Sequence, residues 1–210
     1  MPRVHFVKKA LKDNDVVKKG EPYYWWKFRH GGKHLSKTHP RQSQLTQSDK
    51  LSRLYAAQEG VEDAALSGEF TGTDVDNLRQ AVDDAKSEVE SVKEEYEESH
   101  SNMESAFPNG CPVMEEIQEK VDACEGIIDS LDSALSELDG LDSDLDEALQ
   151  KFEEADEALS ALEDTMTDKT PEEMEPLLAA AREKKDEAEQ AVEDLRTQVT
   201  DAVEGISWDI

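Results

Sequence analysis

Cysteine is nearly absent. Cys111 and Cys124 are the only two in 210 residues, too few for a disulfide framework and in keeping with a reducing compartment. No apolar run approaches the roughly 18 residues that span a bilayer, and no signal-peptide pattern opens the chain. A membrane partner is therefore not expected. Hydrophobic residues make up 36% and charged residues 35%, where an ordinary soluble domain carries about 45–50% and about 25%. That shortage of apolar side chains excludes a core of ordinary depth and points to an elongated or thin-cored chain. Catalytic signatures are missing as well: no Gly-rich phosphate loop, no Gly-x-Ser-x-Gly and no His-Glu-x-x-His. Carboxylates are so numerous that no pair of them marks acid–base chemistry. Cys111 lies in a turn with no histidine near it in sequence, and Cys124 falls on an apolar helical stripe. An enzyme is not expected, and no cofactor is implied.

What is present is charge, and it is divided along the chain. Residues 1–55 carry 13 Lys/Arg against 4 Asp/Glu, and residues 56–210 carry 10 against 47. The net charges are +9 and −37, summing to the −28 of the whole. Four of the five histidines and seven of the twelve aromatics also lie in the first 55 residues. This argues for two modules with different surroundings or partners: a basic, aromatic-rich head over 1–66, a linker over 67–73 and an acidic helical part over 74–210. Salt adaptation alone would acidify the whole surface.

In the head, the alternation of Arg3–Val7 predicts a short strand. The run Tyr23-Tyr24-Trp25-Trp26-Lys27-Phe28-Arg29-His30-Gly31-Gly32-Lys33 predicts a β-hairpin, with Gly31 and Gly32 supplying positive φ. Strand alternation sets Tyr24, Trp26, Phe28 and His30 on one face and Tyr23, Trp25, Lys27 and Arg29 on the other. The first face suits a core. The second mixes rings with cations, which suits stacking on bases and neutralising phosphate. Tyr23 and Trp25 covering a second apolar layer is the competing reading, because so small a head needs its aromatics to fold. The candidate nucleic-acid contacts are Lys27, Arg29, Lys33, Lys37 and Arg41 to phosphate, with Tyr23 and Trp25 as stacking surfaces. His5, His30, His34 and His39 lack standard ligand spacing, and no cysteine lies in the head, so no metal site is expected.

Thr46, with Asp49 three residues on, is the expected cap of a helix carrying Leu51, Leu54, Val61 and Ala65 on one side. Three strands and a helix resemble, in element order only, the arm-type DNA-binding domains of phage integrases.

From Thr73, the expected cap, apolar residues recur at alternating steps of three and four. The first seam holds Leu78, Val82, Ala85, Val89, Val92 and Tyr96 and stops at Phe107–Pro112. The second runs Met114, Ile117, Val121, Cys124, Ile128, Leu131, Leu135, Leu138, Leu141, Leu145 and Ala148 to Met166, every step a three or a four. An uninterrupted run of such steps favours one helix; Gly140 followed by Ser143 as a cap would make two. Thr167–Pro171 forms the next reversal, with Thr170 and Glu173 as a capping box. The last seam runs from Met174 to Ile206, with Lys185 intruding and Pro176 in the second turn. The expected fold is mainly α: a small three-stranded head followed by an elongated antiparallel coiled coil of three long helices, or four if broken at Gly140.

The strings Pro2-Arg3-Val4-His5-Phe6-Val7-Lys8-Lys9-Ala10, Tyr23–Lys33 and Ser36-Lys37-Thr38-His39-Pro40-Arg41-Gln42-Ser43-Gln44-Leu45-Thr46-Gln47-Ser48 are similar to the opening of a group of small phage-type proteins. The resemblance covers about 45 residues and stops before the acidic helices. It implies a viral or virus-derived source, with host cytoplasm or virion as the setting, and brings no activity or site with it. The expected role is a non-enzymatic viral accessory protein whose head binds nucleic acid while the helices self-associate or hold a protein partner. A virion or scaffold component docking its head on an acidic protein surface is the second expectation. A third is an inhibitor whose carboxylate rows imitate nucleic acid toward a host or defence protein.

Overall fold

The structure, a computed structural model, describes residues 1–164 and 171–209, and side chains from Met174 onward in the last helix. Three strands, β1 (His5–Val7), β2 (Tyr23–Lys27) and β3 (Lys33–Ser36), form an antiparallel sheet in the order β1-β2-β3. A 3-10 turn (Gln42–Leu45) leads to α1 (Asp49–Ala64). Four long helices follow: α2 (Gly72–Ala106), α3 (Pro112–Leu138), α4 (Leu141–Asp164) and α5 (Pro171–Glu204). The fold is mainly α with a small β head. None of the described helices is long and apolar enough to cross a membrane.

Packing divides the chain into two compact units, and this division does not follow the charge. The first unit holds residues 1–63, 85–125 and the last residues from Trp208; the second holds 64–84 and 126–207. In the first, the sheet is fastened underneath by buried Trp26 and the connection by buried Ala10 and Val17. Leu54, Ala57 and Val61 give α1 its buried stripe, and Ala85, Val89, Val92 and Tyr96 give α2 one. Two cations at the end of the basic segment are spent on α2. Arg53 hydrogen-bonds Glu88 and Glu95 and reaches Ser91 at 2.9 Å. The Lys50 ammonium lies 4.1 Å from the Tyr96 ring centroid and 3.9 Å from Glu95.

In the second unit, α4 and α5 run antiparallel: Lys185 meets Asp156 at 2.5 Å and Arg182 meets Glu163 at 3.5 Å. The seam lysine thus turns to a carboxylate on α4, with its Nζ 5.7 Å from the Phe152 ring centroid. Leu141, Leu145 and Ala148 on α4, and Met174, Leu178, Val192, Val199, Ala202 and Ile206 in the last segment, are buried. Among the described residues no polar or charged residue is fully buried, so both cores are apolar.

Several local expectations are corrected. The helix does not continue through Gly140, which adopts φ +85° and ends α3, its carbonyl accepting the Asp144 N–H that opens α4. The turn is only two residues long, with Leu138 and Leu141 buried on either side, and the alternation of steps breaks there, since Leu135, Leu138 and Leu141 are two successive steps of three. Ser143 caps nothing; its hydroxyl meets Asp142. On α3 the deeply buried positions are Ile127 and Ala134 rather than Ile128 and Leu135, which are half-buried. The stripe is therefore wider than a two-position seam. Ser48, not Thr46, starts α1, its carbonyl accepting from Ser52. Thr71, not Thr73, starts α2: its carbonyl accepts from Asp74 and Val75, and Asp74 Oδ2 accepts from its N–H and hydroxyl. Thr167–Thr170 of the expected reversal, and with them the Thr170–Glu173 box, lie outside the residues described.

Candidate nucleic-acid interface

The sheet builds the surface. Directly opposed residues in an antiparallel pair project to the same side. The register sets His5 opposite Trp25, Val7 opposite Tyr23, Leu35 opposite Trp25 and Lys33 opposite Lys27. One face therefore gathers His5, Val7, Tyr23, Trp25, Lys27, Lys33 and Leu35, without a carboxylate. The other carries Phe6, Tyr24, Trp26 and His34, and of these Trp26 is the buried anchor. The turn between β2 and β3 differs from expectation: neither Gly31 nor Gly32 has positive φ, because five residues, not two, connect the strands and the reversal is spread over Phe28–Gly32.

The rings on the cationic face are already engaged. His5 stacks on Trp25 with centroids 4.3 Å apart and planes 12° from parallel. The Lys33 ammonium lies 4.4 Å from the Trp25 centroid and 5.7 Å from that of Tyr23. Since β1 and β3 flank β2, His5 and Lys33 approach Trp25 from opposite sides. Tyr23 and Trp25 are half-buried, and Lys27, Arg29 and Lys33 are exposed. These three cations have no acidic partner among the described residues. Arg29 lies just past the end of β2.

The structure does not bring all the candidate residues together. Lys37 is 3.4 Å from Glu21. The Glu21 carboxyl is held below the ordinary range, first by accepting the Lys18 backbone N–H and then by Lys37. Arg41 is directed elsewhere, donating to both oxygens of Asp63 at 2.5 and 2.9 Å. That bidentate contact raises the arginine's pKa and lowers that of Asp63. Nearby Ser43 donates its N–H and hydroxyl to Glu59, so this loop is tied to α1.

Further exposed cations lie outside the hairpin. The β1–β2 connection exposes Lys8, Lys9, Lys12, Lys18 and Lys19. Asn14 Oδ1 accepts the Val16 and Val17 N–H groups, and Asp13 Oδ1 accepts that of Lys19 at 2.6 Å. Asp13 and Glu21 thus accept backbone N–H groups of the loop, those of Lys19 and Lys18. The Asn-Asp turn sequence was the available signal. Of the other histidines, His34 stacks on Trp26 at 5.4 Å and His39 meets the Tyr24 ring edge-on at 5.2 Å, while His30 is exposed. No group of three metal-ligating side chains occurs among the described residues.

No family model, curated protein or solved structure matches the chain.

Proposed function

We propose that the head binds nucleic acid through the sheet face bearing Lys27, Lys33 and Trp25, with Arg29 beside it. The carrying observation is a carboxylate-free, cationic and ring-bearing sheet face in a chain holding 51 Asp and Glu. Cations whose charge is not compensated locally attract phosphate and release its counterions. Because His5 and Lys33 cover the Trp25 ring, the face works first as a phosphate-neutralising surface, with base stacking requiring Lys33 to swing aside. The acidic helices act as the self-association or protein-partner part of the molecule. The role is binding, not catalysis.

The test is fluorescence anisotropy of the full chain with a labelled duplex and the matching single strand. Three phosphate contacts give log K against log[salt] a slope of about −3 on duplex, tested from about 50 to about 200 mM salt. Lys33→Ala should lower the magnitude of that slope by about 1. Binding that ignores salt, or a protein that retains acidic polypeptide and no nucleic acid, would turn the assignment to an acidic protein surface.

A further inference from the structure

A cleft of about 630 Å³ opens beside the end of β2, between that strand, the segment after the 3-10 turn, and α1. Its size falls in the range of small-molecule sites, about 300–1,000 Å³. Its lining separates into two chemistries. Lys27 and Arg29 supply charge, while Phe28, Leu51 and Tyr55 supply apolar and aromatic surface. Gln47 also lines the cleft, and its side-chain amide carries both donors and an acceptor. No carboxylate lines it, although almost a quarter of the chain is Asp or Glu.

We propose that this cleft binds a nucleoside monophosphate, either free or as the unpaired residue of a strand held by the sheet. The proposal rests on the nucleic-acid reading of the head, because Lys27 and Arg29 belong to both. Its chemistry follows from the lining. A planar guanidinium and an ammonium meet a phosphate dianion through charge-assisted hydrogen bonds. A heterocyclic base has two apolar faces, which Phe28, Leu51 and Tyr55 accommodate, and a polar edge, which the Gln47 amide can pair. An inorganic anion would leave the apolar wall unused, and a neutral apolar ligand would leave two cations uncompensated. Only a ligand with both parts uses the whole lining.

The full chain is titrated with AMP, adenosine and inorganic phosphate by calorimetry. In parallel, a blunt duplex and one with a single-nucleotide overhang compete for a labelled duplex. AMP should bind at least tenfold more tightly than adenosine or phosphate. Arg29→Ala should weaken AMP at least tenfold, whereas Lys33→Ala should leave AMP unchanged while weakening duplex. Both side chains are exposed, so neither variant threatens folding. Preference for the overhang assigns the site to a strand's unpaired residue; equal competition with AMP bound assigns it to free nucleotide. Phosphate binding as well as AMP, or Arg29→Ala binding AMP normally, overturns the proposal. Salt-sensitive duplex binding with neither AMP binding nor overhang preference removes the cleft and leaves the sheet reading intact. Loss of duplex binding as well removes both.

Discussion

The Gly72 backbone N–H donates to Asp146 Oδ1 at 2.8 Å, tying the first turn of α2 to α4. The approach is so close that a Cβ at position 72 would lie 2.2 Å from the Asp142 carbonyl oxygen and 2.6 Å from Asp146 Cγ. The nearest atom is backbone, so no side-chain rotation relieves it. Gly72→Ala is therefore expected to destabilise the chain by about 1–3 kcal/mol, the usual cost of overpacking. Asp146→Ala, which removes only the acceptor, should cost about 0.5–2 kcal/mol, as for a lost cap. Denaturant melts followed by circular dichroism check both. An alanine at 72 with unchanged midpoint would mean the two segments are not held this closely.

The helix phases were readable because valine and leucine recur at steps of three and four, and Leu78, Val82, Val89, Leu131 and Leu145 are all buried. The stop at Gly140 is marked only by two successive steps of three, Leu135 to Leu138 to Leu141, which a run of threes and fours lets pass unless the alternation itself is checked. Caps were misplaced by two or three residues at Thr46, Thr73 and Ser143. Each neighbourhood offers several hydroxyls and carboxylates, and the choice depends on which carbonyl begins the ladder. Period-two alternation correctly set Trp25 and Lys27 opposite Trp26. What alternation could not supply was partner choice across distance, such as Arg41 with Asp63, 22 residues apart, or the turn in which Asp13 accepts the Lys19 backbone N–H.

Arg41 follows from that geometry. Bound to Asp63 and facing Glu59 and Glu62, it fastens the loop to α1. Arg41→Gln should leave the slope of duplex binding against salt unchanged while lowering the melting temperature. The Asp63 carboxyl is held below its ordinary range by the Arg41 hydrogen bonds. Its contribution is therefore fully present above the unfolded aspartate pKa of about 3.9 and is lost as pH falls through the lower folded value. The destabilisation caused by Asp63→Asn should accordingly be greatest near neutrality and fade below about pH 4. An Arg41→Gln protein with a shallower salt slope would return Arg41 to the interface.

Cys124 is packed on the α3 stripe at 1% exposure, and burial pushes its thiol pKa up despite Lys120 and Lys93 nearby. A buried, protonated thiol is a poor nucleophile. Native protein treated with iodoacetamide should be modified at half-exposed Cys111 and spared at Cys124 until unfolded. Cys124→Ser should cost about 1–3 kcal/mol, because the hydroxyl is buried without a designed partner. Peptide mapping after alkylation separates the two sites. Equal labelling in the native state would contradict the packing of α3.

Salt should move stability and binding in opposite directions. At a net charge of −28, with the helical part carrying most of the acid, repulsion among carboxylates opposes the compact state. Added sodium chloride shortens the screening length from about 30 Å at 0.01 M to about 3 Å at 1 M. The local pairs that stabilise the helices are short, such as Lys93 with Glu125 at 2.7 Å, and lose less than the long-range repulsion that is removed. The melting temperature should therefore rise with sodium chloride over the range in which duplex affinity falls. Thermal melts and anisotropy titrations on the same samples measure both. A melting temperature that drops with salt would show that ion pairs outweigh repulsion, contrary to the distribution of charge along the chain.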